Sequence, residues 1–267
     1  MGAGMVYIAK DVRDIKEAIA GLLERAAISP HKKDILIKPN LVDAIAPPVT
    51  TPVEFVEAII DCFRERWEGL NIVVAEGTGS AERSTHEVFK HLGYHLMAER
   101  KGVELIDLNE EPLTRLSMPY LTRWKEFYLP TVALDYYIVS APVLKAHTLA
   151  GVTLTMKNMM GFVPPSHYRM GGYWKKSAFH TRIDEAIFDL NNYRSPDLTI
   201  LYAIRGMRDS HLGGAQLSPG IIALGSDPVA IDTYGTVLLG RDPQDIGYIT
   251  MAHGVLGMSE DITVVES

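Results

Sequence analysis

Ile35-Leu36-Ile37-Lys38-Pro39-Asn40 sets three apolar residues directly ahead of a lysine, a proline and an asparagine. A short apolar run closed by such a cluster reads as a buried strand ending in a loop. Just downstream, Thr51-Pro52-Val53-Glu54 combines a cap residue, a proline suited to the first helical turn and a glutamate three residues after the cap. That is the pattern of a capping box, and it predicts a helix to about residue 67. A second apolar strand, residues 71–75, is closed by Glu76-Gly77-Thr78-Gly79-Ser80, and a helix carrying Val88, Phe89 and Leu92 ends before Gly93. Strand, helix, strand, helix in this order is the pattern of parallel βαβ units with right-handed crossovers. The expected fold is therefore α/β: a mostly parallel sheet with helices on both faces and a less regular insertion.

Working outward, Asp11 and Asp14 open a helical pattern with Ile15, Ala18, Ile19, Leu22 and Leu23, which ends before Ser29-Pro30. Residues 103–108 read as the next strand, 111–130 as a hairpin-like excursion, and 136–141 as a further buried strand. Residues 151–161 mix threonines, methionines, Lys157 and Asn158 without a clear period. The polar, glycine-rich and aromatic segment 164–179 suits a lid or insertion over a site. A helix over 181–193, strands over 198–203 and 221–224, and helices opened by Asp227-Pro228 and Asp242-Pro243 complete the pattern. No repeat or low-complexity linker divides the chain, so residues 1–267 are expected to form one α/β domain.

A 267-residue chain that is 47% hydrophobic can bury a substantial core. Its formal charge of −7 argues against nucleic acid as a partner, because phosphate binding needs a concentrated basic face. The single cysteine, Cys62, sits among Phe55, Val56, Ile59, Ile60 and Phe63 and reads as a buried structural thiol. It excludes an intramolecular disulfide and any four-cysteine zinc or iron–sulfur site within this chain. The first residues lack a basic region followed by an apolar core, and no window approaches the roughly 18 apolar residues of a spanning helix. A cytoplasmic protein without a membrane partner is the expectation.

Ligands of open α/β sheets bind beyond the carboxyl ends of the strands. Four polar clusters follow apolar runs: Lys38-Pro39-Asn40 with Asp43, residues 76–80, Lys145-Ala146-His147 with Thr148, and residues 206–214 with Asp209 and His211. Lys38, Lys145 and Lys157, with Asn40 and Asn158, would suit a carboxylate or phosphate if they converge, since an isolated buried cation is costly. The plainer reading pairs each lysine with Asp43, Glu76 or Asp209. Gly77, Thr78, Gly79 and Ser80 offer backbone N–H groups to an anion, although neither the Rossmann nor the Walker fingerprint is met. His147, His167, His180 and His211 supply imidazoles for proton transfer or metal ligation, without a zinc spacing motif. The expected catalytic groups are His147, Lys145 and Asp209. The expected binding groups are Lys38, Asn40, Glu76, Gly77, Thr78, Gly79, Ser80, Lys157 and Asn158. The pattern names no cofactor and no metal.

Taken together, Ile37-Lys38-Pro39-Asn40-Leu41-Val42, Ala141-Pro142-Val143-Leu144-Lys145-Ala146-His147, Gly151-Val152-Thr153-Leu154-Thr155-Met156-Lys157-Asn158-Met159-Met160-Gly161 and Ser226-Asp227-Pro228-Val229-Ala230-Ile231-Asp232 resemble the domain-of-unknown-function 362 family. Asp189-Leu190-Asn191 followed by Pro196-Asp197-Leu198-Thr199-Ile200 fits it as well, so the resemblance runs collinearly along nearly the whole chain. It implies the family's core domain without the cysteine-rich, ferredoxin-like segment that some members append. The family's acidic, glycine-rich run after the last of these stretches is here Arg205-Gly206-Met207-Arg208-Asp209-Ser210-His211, a departure. The strand, Thr-Pro helix, strand and glycine-loop layout is also similar to the N-terminal domain of nickel-pincer lactate racemases, a likeness of layout from which no cofactor is carried over. Three readings follow. The leading one is an enzyme acting on a small anionic metabolite by proton transfer or isomerisation. The others are a non-catalytic ligand-binding or accessory protein of a redox system, and a metal-dependent enzyme using several of His147, His167, His180, His211 and Asp209. The expected partner is a small-molecule anion, bound by a monomer or a homo-oligomer.

Overall fold

The computed structural model describes residues 4–266. In chain order its strands and helices are β1 (Met5–Ala9), α1 (Ile15–Arg25), β2 (Asp34–Pro39), α2 (Val53–Arg66), β3 (Asn71–Glu76), α3 (Thr85–His91), α4 (Tyr94–Lys101), β4 (Glu104–Asp107), β5 (Leu113–Ser117), β6 (Glu126–Pro130), α5 (Val132–Asp135), β7 (Tyr137–Ala141), β8 (Val143–His147) and β9 (Gly151–Thr153). Then follow α6 (Thr155–Asn158), α7 (Pro165–Tyr168), α8 (Ile183–Tyr193), β10 (Leu198–Met207), β11 (Gln216–Leu217), β12 (Ile221–Gly225), α9 (Pro228–Leu238), α10 (Gly247–Ala252) and β13 (Thr263–Glu266).

The main sheet runs β13-β1-β12-β10-β7-β2-β3-β4. From β10 to β4 every neighbour is parallel, as the βαβ pattern requires. The other half is mixed, because β12 lies antiparallel between β1 and β10. Strand alternation separates the faces. Ile35, Ile37 and Val139 pack with α1, α2, α3 and α4, while Leu36, Val73 and Ile138 point the other way and pack with Ala186 and Leu190 of α8. Each such fully buried aliphatic side chain contributes about 1.5–3 kcal/mol. Strands β5 and β6 form a separate antiparallel pair over the second face. Among the described residues no helix is long and apolar enough to cross a membrane.

Caps account for several boundaries. Asp14 accepts from Glu17 N, Ser84 and Glu87 form a reciprocal capping box, and Asp227 accepts from Val229 N and Ala230 N. The capping box expected at Thr51 and Glu54 does not form. α2 starts where that pattern places it, but the Thr51 hydroxyl donates to Ala141 O and accepts from Asn40 N, joining β7 to the loop after β2. Asp242-Pro243 opens only a three-residue 3-10 turn ahead of α10.

The sheet forks where β7 ends. Up to Ala141 the chain pairs with β2, but after Pro142 it continues as β8, which leaves β2 and pairs with β10 and with the short antiparallel β9. β2 stops at Pro39, so a crevice opens between its carboxyl end and β8. α6 and the 3-10 turn at Met159–Phe162 close that crevice from one face.

Candidate functional site

At the end of β2, alternation turns Lys38 away from the α2 side and into the crevice, where it is 1% exposed. Its ammonium lies 2.8 Å from Oε1 and 2.9 Å from Oε2 of Glu76, which ends the neighbouring β3, and also donates to Pro39 O and Asn158 Oδ1. The Glu76 carboxylate is saturated as well, accepting from Leu41 N and Gly77 N at 2.8 Å each. Burial pulls the Lys38 pKa down, and the Glu76 charge opposes it.

Asn158 holds the next layer in place. Its Oδ1 accepts from Lys38 and from Asn40 Nδ2, and its Nδ2 donates to Lys38 O and Ser140 Oγ, so its amide is fully used. Asn40 Oδ1 in turn accepts from Lys145, whose ammonium also donates to Val49 O. Lys145 is 1% exposed, and burial first, then the Lys157 charge, lowers its pKa to about 7.

α6 carries Lys157 and Asn158, and its short first turn is held by a carboxylate from α9. Asp232 accepts from Thr155 N at 2.7 Å, from Met156 N and from the Tyr248 hydroxyl. Full burial pushes Asp232 up to about 7 against the pull of these donors.

Beyond these paired groups lies a cavity of about 230 Å3. Lys38, Asn40, Glu76, Gly77, Gly79, His147, Lys157, Asn158, Lys176, His180 and His211 all reach its wall. Lys176 donates to the carbonyls of Gly77, Met160 and Gly161, and burial brings its pKa to about 7. Lys157 differs: it makes no hydrogen bond or ion pair with any described residue, and burial lowers its pKa to about 8. Lys38, Lys145 and Lys176 thus share the field of one carboxylate, Glu76, and Lys157 reaches the same cavity without it.

The histidines in the wall are neutral. His147 Nδ1 accepts from Leu149 N and Ala150 N, both at 3.1 Å, so its proton sits on Nε2. Burial, followed by the Lys157 charge, drives its pKa far below the usual range. The sequence reading gave His147 a role in proton transfer; with Nδ1 occupied by amides, the ring has its Nε2–H to offer. The His211 ring stacks on it at 4.1 Å and 27°, its pKa brought to about 3 by burial and then Lys157, and its buried Nδ1 has no partner. His180 is also lowered, by burial first and then Lys157.

Several expected groups lie elsewhere. Asp209 is exposed and accepts from Ala215 N in a surface turn. In the loop after β3 three amides are taken within the protein, Gly77 N by Glu76, Thr78 N by the Thr85 hydroxyl and Ser80 N by the Thr78 hydroxyl, while Gly77 and Gly79 line the cavity. Thr78 and Ser80 are fully buried away from the cavity wall. Lys145 sits behind the wall and reaches it through Asn40. His167 stacks on Tyr128 outside the site. Among the described residues no three His, Cys, Asp or Glu side chains are grouped to hold a metal ion.

Sequence reasoning missed Lys176 and Asp232. The only local hint of Lys176 was a pair of lysines inside the aromatic, glycine-rich segment 164–179. That segment follows the wall: Trp174 lines the cavity, Tyr173 donates to Glu82, and Lys175 N donates to Gly79 O. Asp232 closes the Asp-Pro stretch that opens α9, where it reads as an ordinary helix residue.

Comparison with known proteins bears on this arrangement. No curated protein matches the sequence. Among solved structures, the lactate racemase apoprotein from Thermoanaerobacterium thermosaccharolyticum is similar with a TM-score of 0.54 and 12% sequence identity, over 88% of this chain and 56% of that one. The likeness is one of fold, and this chain spans little more than half the racemase's length. The family model described as "Domain of unknown function (DUF362)" matches residues 35–237, a stretch that holds the whole cavity wall from Lys38 to Leu212 together with Asp232. The chain belongs to the DUF362 family.

Proposed function

We propose that the protein is an enzyme that binds a small carboxylate or phosphate metabolite against Lys157 and catalyses proton transfer or isomerisation on it. One observation carries this reading: Lys157 is a cation without a partner among the described residues, in a cavity where the other lysines are bonded. A half-buried, partly desolvated cation without a partner is costly, and an anionic ligand supplies what the protein leaves out. The volume of about 230 Å3 suits a metabolite of a few carbons.

The roles follow from the bonding. Lys38, Glu76, Asn40, Asn158 and Lys145 form the rigid floor. Lys157 neutralises the anion, and its pKa near neutrality lets it give up or take a proton. The His147 Nε2–H donates to an oxygen of the ligand. His211, whose tautomer no hydrogen bond fixes, is the neutral imidazole available to accept a proton. Binding an anion removes the positive potential that Lys157 imposes on His211 and raises its basicity.

Native mass spectrometry of freshly purified protein tests the binding half, with a co-purifying carboxylate or phosphate as the expected result. The catalytic half is tested by incubation with small hydroxy, oxo and phosphorylated acids in deuterated water. Solvent deuterium should enter the carbon-bound position of a substrate, and this should fail in Lys157→Met. A bound acid recovered unchanged, with no exchange anywhere in the panel, would leave a binding protein in place of an enzyme.

A further inference from the structure

We propose that Lys157 forms an imine with the aldehyde or ketone group of its ligand, so that the substrate class is a small anionic carbonyl compound. This rests on the anion-binding reading above and adds covalent chemistry to it.

The argument begins with the competitors. Lys38 is held by Glu76, Pro39 O and Asn158; Lys145 by Asn40 and Val49 O; Lys176 by three backbone carbonyls. None of these nitrogens can attack a ligand without abandoning buried acceptors. Lys157 gives up nothing. Its backbone is fixed from both sides, by Asp232 at Thr155 and Met156 and by the fully bonded amide of Asn158, so the amine is delivered to the cavity wall by a rigid turn. Burial favours its neutral form. With a pKa of about 8, roughly a tenth is free amine at pH 7, against about one part in a few thousand for an ordinary lysine.

The step needs no outside oxidant or reductant. The amine nitrogen attacks the carbonyl carbon, a C–N bond forms, and the carbonyl π electrons move to oxygen, which takes a proton from the His147 Nε2–H or from solvent. The carbinolamine then loses water, and the nitrogen gives up a proton. Amine plus carbonyl yields imine plus water. Protonation of that imine acidifies the neighbouring C–H, the change that a proton-transfer site requires.

Reductive trapping tests this on the full chain. Protein at pH 7 is treated with low concentrations of glyoxylate and sodium cyanoborohydride, and each lysine is mapped by peptide mass spectrometry. The expected result is a mass gain equal to glyoxylic acid less one oxygen at Lys157, faster than at any surface lysine by about tenfold or more, slower with uncharged acetaldehyde, and absent in Lys157→Arg. Labelling at Lys157 no faster than at surface lysines overturns the proposal, and this wild-type map stands even if the variant misfolds. Calorimetric titration with oxalate separates the two readings. Oxalate binding without trapping removes the imine and leaves the anion site; neither binding nor trapping removes both.

Discussion

Lys38 and Lys157 border the same crevice and are held in opposite ways. Lys38 spends its three donors on Glu76, Pro39 and Asn158, and its partner carboxylate takes two backbone amides besides. Lys157, from the turn that also supplies Asn158, meets no acceptor among the described residues. A lysine whose partners are all built in is architecture; a lysine left without one is where the ligand must supply the acceptor. The same contrast divides the histidines, since His147 is fixed by two amides and His211 by none.

The sharpest way to break this comparison is to remove each partner in turn. Glu76→Ala leaves Lys38 as an uncompensated buried cation and orphans two amides, and should cost about 3–5 kcal/mol in denaturant unfolding. Lys157→Met removes a buried charge that has nothing to lose, so its unfolding free energy should match or exceed wild type while anion binding disappears. Equal destabilisation by the two would erase the distinction. Gly161→Ala comes next. A Cβ there would lie 2.1 Å from Lys38 Cε and 2.3 Å from Glu76 Oε1, so it should destabilise by about 1–3 kcal/mol and close the cavity to ligand.

The pH dependence sharpens the same point. Burial holds Lys145 and Lys176 near 7 and Lys157 near 8, whereas unfolded lysine titrates at about 10.4. Between those values the unfolded chain binds more protons, so the contribution of these lysines to stability grows as pH rises from about 7 to about 10. Urea titrations across that range should show the rise, and Lys157→Met should flatten it. A fall with pH over the same window would contradict the burial of the cluster. The smallest effect is reserved for Asp209→Asn, which should leave anion binding unchanged and shift stability by less than about 0.5 kcal/mol.

The parallel half of the sheet was legible because its signals are local. β2, β3 and β7 are apolar runs closed by polar clusters, and α1 and α8 carry helical periodicity. The mixed half was not, because the antiparallel seating of β12 between β1 and β10 is a long-range choice that leaves no mark on any one strand. Lys38, Lys145, Lys157 and Asn158 were legible for the same local reason, following apolar runs or lying in one short turn. What each does was not legible, since that depends on partners brought from afar: Glu76 for Lys38 across two strands, Asp232 for the turn bearing Lys157, and the segment around Lys176 for the carbonyls at Gly77 and Gly161. The bonding of the Gly77-Thr78-Gly79-Ser80 loop was hidden for a related reason. Its composition suits an anion, but three of its amides are taken by Glu76, Thr85 and Thr78.

The most direct measurement is thermal unfolding at pH 7 of wild type and Lys157→Met, with and without inorganic phosphate or oxalate at matched ionic strength. Ligand at 100 times its dissociation constant stabilises by about 2.7 kcal/mol, so wild type should melt measurably higher with at least one of these anions and the variant should not respond. An equal rise in both proteins, or none in wild type, would contradict the assignment of Lys157 as the cation that receives the ligand.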